Sequence, residues 1–194
     1  FQLPALMSEG LTVVISPLIA LMRDQVRGLQ AVGVAAEAIT SANTEEETDK
    51  IFSALNASKL RILYLAPERL ASAAMQSALH RYNVVSLIVD EAHCVSQWGH
   101  DFRPDYLRIG ELRRSLGVPL AAFTATADSA TQKDIVAKLT HNDCDVTVTG
   151  FDRPNLSLAV MQKANVKLQI TEFLKNRDKD SGIIYCLSRK ETEE

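Results

Sequence analysis

Val84-Val85-Ser86-Leu87-Ile88-Val89 is a short, almost unbroken apolar run that passes directly into two carboxylates, Asp90 and Glu91. A strand of this kind has no polar face to offer water, so it needs cover on both sides, the condition of a parallel sheet inside an α/β domain. Residues 11–16, 61–65, 119–124 and 145–149 have a similar texture, and 34–39 is a weaker candidate. Amphipathic stretches separate them at 18–32, 44–57, 73–80, 104–116 and 129–139. This alternation predicts a doubly wound parallel sheet with helices on both faces.

Local signals agree with that reading. Thr44 and Glu47 have the spacing of a capping box, and Gly33 and Gly117 stand where helices end. After Gly150 the texture changes. Asp152-Arg153-Pro154-Asn155 reads as a turn or linker, because Pro154 cannot continue a ladder. A strand at 156–161, a helix at 166–175 and a strand at 182–187 then follow, with Ser188 and Glu191 spaced to cap one more helix. The expected organisation is a first domain over 1–150, then a linker and the truncated start of a second α/β domain over 151–194.

Composition narrows the class. Apolar residues make up 46% of the 194 and charged residues 23%, the usage of an ordinary globular domain rather than a disordered chain or a coiled coil. Lys and Arg number 21 against 24 Asp and Glu, a net charge of −3, which excludes a small module that binds nucleic acid by bulk positive charge. Cys94, Cys144 and Cys186 are odd in number and unpaired in spacing, which argues against a disulfide scaffold and fits a reducing compartment. No apolar run reaches membrane-spanning length and no signal peptide opens the chain. Because the first residue is Phe1, the true N-terminus is expected to lie upstream.

The acids that end the 84–89 strand fall where open parallel sheets place their ligand crevice, beyond the carboxyl ends of the strands. Asp90 is suited to hold Mg²⁺ through water while the metal bridges nucleotide phosphates. Glu91, aimed elsewhere by strand alternation, can accept a proton from an attacking water. The plainer alternative is that both acids merely end a strand and cap the next helix.

The following segment, Cys94 to Tyr106, holds the only tryptophan, Trp98, with Phe102, Arg103 and Tyr106. Aromatic faces beside a cation suit stacking on unpaired bases and contact with phosphate. For Tyr106 packing on the core is the favoured role. A metal site from His93, Cys94 and His100 matches no usual ligand spacing. At the end of the 119–124 run, Thr124 and Thr126 place hydroxyls one residue apart. They suit a relay from a phosphate site, or simple capping of the helix that follows.

Taken together, these segments resemble the bacterial RecQ family of superfamily 2 DNA helicases. Phe1 to Ala5 resembles the helix after the phosphate-binding loop, Val14 to Gln25 motif Ia, and Tyr64 to Leu70 motif Ib. Asp90-Glu91-Ala92-His93 is the DEAH form of motif II, Ser96 to Tyr106 resembles the family's aromatic-rich loop, and Thr124-Ala125-Thr126 resembles motif III. Phe151 to Asn155 resembles the crossing between motor domains, and Gly182 to Cys186 motif IV.

The resemblance implies a RecA-like fold, ATP and Mg²⁺ as cofactors, and single-stranded and duplex DNA as partners. It also implies ATP-dependent 3′-to-5′ unwinding in DNA repair and recombination, in the cytoplasm with the nucleoid. Asp90, Glu91, His93 and Gln97 would then form the catalytic set. Asp90, Glu91, Thr124 and Thr126 would face the nucleotide. Ser16, Pro67, Arg69, Trp98, Phe102 and Arg103 would face DNA. The chain contains no GxxxxGK[ST] segment, and the family's arginine finger and accessory regions would lie beyond Glu194. On its own, therefore, it is expected to hydrolyse ATP negligibly. Two other readings stay open: a nucleic-acid-stimulated ATPase or translocase that does not unwind, and, for this chain alone, a non-catalytic α/β binding fragment.

Overall fold

This computed structural model describes all residues except 142, 151, 152, 176, 178, 189–191, 193 and 194. Strands β1 (Leu11–Ile15), β2 (Ala36–Ile39), β3 (Ile62–Leu65), β4 (Val84–Val89) and β5 (Leu120–Ala122) form one sheet in the order β2-β3-β1-β4-β5. Every neighbouring pair is parallel. The helices are α1 (Gln2–Met7), α2 (Ile19–Ala31), α3 (Glu45–Asn56), α4 (Ala73–Arg81), α5 (Leu107–Leu116), α6 (Ser129–Ile135) and α7 (Val166–Leu174).

The pleat sorts the strand residues into two cores. Val13, Ile15, Leu63, Leu65, Leu87 and Val89 pack with Ile51 and Leu55 of α3, Met75 and Leu79 of α4, and Ile109 and Leu112 of α5. On the other side Val14, Ile62, Tyr64 and Ile88 pack with Ala5 of α1 and Met22, Val26 and Leu29 of α2. Each Val, Leu, Ile or Met side chain among them contributes about 1.5–3 kcal/mol when removed from water, which is why near-continuous apolar strands are stable only here, with helices on both faces. The doubly wound parallel sheet expected from the sequence is thus present.

Topology locates the crevice. From β1 the chain runs toward β2, on one side of the sheet, whereas from β4 it runs toward β5, on the other. The two loops leave adjacent strands in opposite directions, so a gap opens at the carboxyl ends of β1 and β4, just where Ser16 and Asp90 follow their strands.

Several elements differ from expectation in instructive ways. The 104–116 helix divides into a 3₁₀ turn, Pro104–Tyr106, and α5, because Pro104 sits at the first helical position and Arg103 before it is extended. The 129–139 helix divides into α6 and a π-helical turn, Val136–Thr140, and Asp128 caps it by accepting from the Thr131 amide. The Thr44–Glu47 capping box is reciprocal, with amide-to-side-chain bonds of 2.9 and 3.2 Å. Gly33 and Gly117 both take positive φ, 81° and 66°, as helix ends require.

The chain divides into two compact units, Phe1–Val146 and Thr147–Glu194. In the second unit α7 forms as expected, capped by Asn165. The strands expected at 145–149, 156–161 and 182–187 do not form. Their apolar side chains, including Val148, Leu158, Val160, Tyr185 and Leu187, are exposed. A strand exists only through its ladder partners, and among the described residues these segments have none. Pro154 and Asn155 form a turn; Phe151 and Asp152 of the expected linker, and Glu191 of the expected cap, lie outside the described residues. No helix among the described residues is long and apolar enough to cross a membrane.

Two helical glycines make opposite demands. A Cβ at Gly110 of α5 would lie 2.2 Å from the Lys138 carbonyl oxygen, so α5 meets the π turn backbone to backbone. A Cβ at Gly28 of α2 would meet nothing within 4 Å. Gly110→Ala should destabilise by about 1–3 kcal/mol through overpacking, whereas Gly28→Ala should stabilise by about 0.5–1 kcal/mol through helix propensity. Urea denaturation of the two variants checks the opposite signs.

Candidate active site and its aromatic loop

Asp90 is fixed from several directions where β1 and β4 end. Its amide donates to the Ile15 carbonyl at 2.9 Å. Ser16, fully buried, donates from its hydroxyl to Asp90 Oδ2 at 3.2 Å, and the Glu91 amide donates to Oδ1 at 3.0 Å. The buried Tyr106 hydroxyl donates to the Asp90 carbonyl at 3.0 Å. Tyr106 is therefore part of the core, as its pattern implied, and also a direct brace behind the acid. Burial raises its phenol pKa, so the hydroxyl remains a donor.

The divergence of the two acids has a different origin from the one expected. Strand β4 ends at Val89, and Glu91 adopts the left-handed conformation, φ 48° and ψ 47°. For a residue with a Cβ this costs on the order of 1–3 kcal/mol. The turn lets the Ala92 amide donate to the Phe123 carbonyl at 2.9 Å, joining the strand ends of β4 and β5. It also sends Glu91 toward His93 while Asp90 stays with Ser16.

His93 is buried and central. Its Nδ1 lies 3.2 Å from Glu91 Oε2 and 3.0 Å from Thr124 Oγ1. The Thr124 hydroxyl donates to the Thr126 carbonyl at 3.1 Å and accepts from the Thr126 amide at 3.2 Å. With its single proton so used, Thr124 can only accept from His93, which assigns the proton to Nδ1, shared between Glu91 and Thr124. Burial, then the stacked His100 ring 4.1 Å away, push the His93 pKa down, against the pull of Glu91 and Asp101. His93 thus joins the DEAH turn to the Thr124–Thr126 loop as a neutral imidazole. A cleft of about 240 Å³ opens beside it, lined by Pro17, Leu18, Glu91, His93, Asp101 and Thr126, among others.

The aromatic loop is anchored at both ends and open in the middle. Cys94 is buried and directs its thiol at Asp101 Oδ2, 3.9 Å away; burial raises its pKa to about 11, so it is an inert thiol. Arg103 donates to the same Asp101 oxygen from Nε at 3.1 Å and from Nη2 at 2.8 Å. The Arg103 amide donates to the Cys94 carbonyl at 2.9 Å, closing the loop. Between these anchors Trp98 is 75% exposed, and Gln97 is exposed beside it. Phe102 is half-buried.

The residues nearer β3 are placed differently. Pro67 is buried at the start of a 3₁₀ turn, Pro67–Ala71. Arg69 in the same turn is half-buried and donates from its guanidinium to the Thr40 carbonyl, while its Nε is buried without a partner. The structure therefore brings Ser16, Asp90, Glu91, His93 and Thr124 into one hydrogen-bonded group, with Thr126 and Arg103 at its edge. Gln97, Trp98, Pro67 and Arg69 stand outside that group.

Residues 1–135, well over half of the chain, match the family model for DEAD/DEAH box helicases. The chain belongs to the DEAD/DEAH box helicase family. Within that family its whole length is similar to RecQ-type enzymes. It is 42% identical over 194 residues to the ATP-dependent DNA helicase RecQ of Haemophilus influenzae and 40% identical over 195 residues to that of Bacillus subtilis. It is also 42% identical over 208 residues to the ATP-dependent DNA helicase Q-like 2 of Arabidopsis thaliana. All of this chain is matched in each case, but only 31%, 33% and 30% of the relative, so the chain spans about a third of their length.

Three residues around this site are not evident from the sequence. Tyr106 braces Asp90 as well as packing on the core, and Asp101 anchors Arg103 within the loop. Asp134 carried no signal, because its partner Ser96 is 38 positions away. The buried His93 also makes a pH prediction. The unfolded chain takes a proton near the ordinary value of 6.5, which the folded imidazole resists. Stability contributed by neutral His93 is present above that pH and is lost as pH falls below it, with a slope of at most about 1.4 kcal/mol per pH unit. Denaturation at pH values on either side of 6.5 should show a smaller acid-side loss in His93→Gln than in the wild type.

Proposed function

We propose that the full-length protein is an ATP-dependent DNA helicase that moves 3′ to 5′ along single-stranded DNA and unwinds duplexes in repair and recombination. Its place would be the cytoplasm, with the nucleoid. The observation that carries this reading is the triangle of Glu91, His93 and Thr124, set at the root of a loop that exposes Trp98. A shift in the DEAH turn is felt within a few residues by the side chain best suited to stack on a base.

In this reading Glu91 is the general base. One carboxylate oxygen accepts a hydrogen bond from the His93 Nδ1–H, which leaves the other to accept a proton from water. Asp90 fits a single-carboxylate Mg²⁺ site: each oxygen receives one hydrogen bond and keeps a lone pair, and the side chain is partly exposed. When bound, Mg²⁺ offsets the phosphate charge of ATP. His93, Gln97, Thr124 and Thr126 couple nucleotide state to the loop.

Trp98 and Phe102 offer aromatic surface to unpaired bases. Arg103 would exchange Asp101 for a DNA phosphate, a swap between two anions with little net cost in charge. Ser16 and Pro67, being buried, would act by shaping the loops that face DNA, and Arg69 by tying its turn to Thr40.

Strand displacement and ATP turnover by the full-length protein test this. A duplex with a 3′ single-stranded tail should be unwound, and one with only a 5′ tail should not. Glu91→Gln should lower turnover by roughly 10²–10⁴-fold with nucleotide binding retained. DNA-stimulated turnover without strand separation would favour a translocase, and normal turnover in Glu91→Gln would remove Glu91 from the catalytic role.

A further inference from the structure

The root of the aromatic loop is held from outside the loop. Ser96 is completely buried, and its hydroxyl donates to Asp134 Oδ2 at 2.8 Å. The same Ser96 oxygen accepts the Trp98 amide at 3.1 Å. Lys138, one helical turn beyond Asp134, donates to Asp134 Oδ2 at 2.9 Å and to the Val95 carbonyl at 3.3 Å. A continuous polar chain therefore runs from Lys138 through Asp134 and Ser96 to the backbone of Trp98. It contains charge-assisted bonds, the stronger kind. Lys138 first, and Ser96 second, hold the Asp134 carboxyl below its usual range, so it stays an acceptor.

The other end of the same helix meets the nucleotide-side loop. Helix α6 begins at Ser129, capped by Asp128, two residues after Thr126. Gln132 of α6 also donates to the Ala127 carbonyl at 3.0 Å. One short helix thus begins three residues after Thr126, bonding to the Ala127 carbonyl there, and holds the root of the Trp98 loop near its other end. The π turn follows at Val136–Thr140 and carries Lys138, a local widening of the helix of a kind often found at functional sites.

We propose that Asp134 is a positioning residue for DNA-stimulated ATP hydrolysis: through Ser96 it sets the aromatic loop in register with the nucleotide-side threonines. The inference rests on the helicase reading above and adds to it a residue that touches neither ATP nor DNA. Asp134 acts by fixing Ser96, and Ser96 by fixing the Trp98 backbone.

The test uses the full-length protein. ATP turnover is measured with and without single-stranded DNA, together with thermal stability and hydrogen exchange of residues 96–103. Asp134→Ala should keep its DNA-independent turnover, lose about tenfold in stimulation by DNA, and exchange faster over 96–103. Asp134→Asn, which can still accept from Ser96, should fall between Asp134→Ala and wild type. Ser96→Ala should reproduce the loss, and the double variant should be no worse than either single one, because both break one chain of bonds. Ser96→Ala also decides the matter should Asp134→Ala fail to fold. Normal stimulation with a lowered melting temperature, or additive losses, would show a structural role only and overturn the proposal. Trp98→Ala separates the levels. Loss of stimulation there but not in Asp134→Ala overturns this inference alone. Full stimulation in Trp98→Ala removes the DNA-sensing loop, and this proposal with it.

Discussion

The parallel pairing of β1 with β4 is the constraint on which the rest depends. It sets Val13, Val14 and Ile15 beside Leu87, Ile88 and Val89, buried on both faces. Because both strands point the same way and their connections leave in opposite directions, the ladder ends in a gap and not in a hairpin. Its last rung, the Asp90 amide on the Ile15 carbonyl, places a carboxylate over that gap beside the Ser16 hydroxyl. Had the two strands been antiparallel, Ser16 and Asp90 would stand at opposite ends of the pair.

From that rung outward the site is a set of exchanges between backbone and side chain. Glu91 gives up an easy conformation, and the chain gains the Ala92–Phe123 bond and the reach from Glu91 to His93. His93 is costly to bury as a cation, so it stays neutral, and a neutral imidazole with its proton on Nδ1 can serve a carboxylate and a hydroxyl together. Gly99 matters at this point, since a Cβ there would lie 2.5 Å from the His93 carbonyl. The aromatic loop can cross His93 closely only because that position has no side chain.

Most of the sheet was legible in the sequence because its signal is local. Continuous apolar runs, the Thr44–Glu47 box and the two helix-ending glycines each act within a few residues. The 145–149, 156–161 and 182–187 runs carry the same local signal, yet none forms a strand. Apolar β-rich texture states what a segment would do with neighbours on both sides, and ladder partners are a property of the fold. The same distinction explains the 104–116 segment, where Pro104 starts a tight turn before the helix instead of the helix itself.

The acids, the DEAH turn, the paired threonines and the aromatic loop could be named from sequence because their residue types and order carry the chemistry. Sequence also sufficed for the fold class, since only cover on two faces satisfies strands without a polar side. Tertiary structure alone decided what each group does with its hydrogen bonds. Ser16 meets Asp90 across 74 positions, Thr124 meets His93 across 31, and Asp134 meets Ser96 across 38. Spacing along the chain does not encode such meetings. They depend on which strands lie side by side and on where α6 crosses the loop, and so they exist only once the two cores have closed.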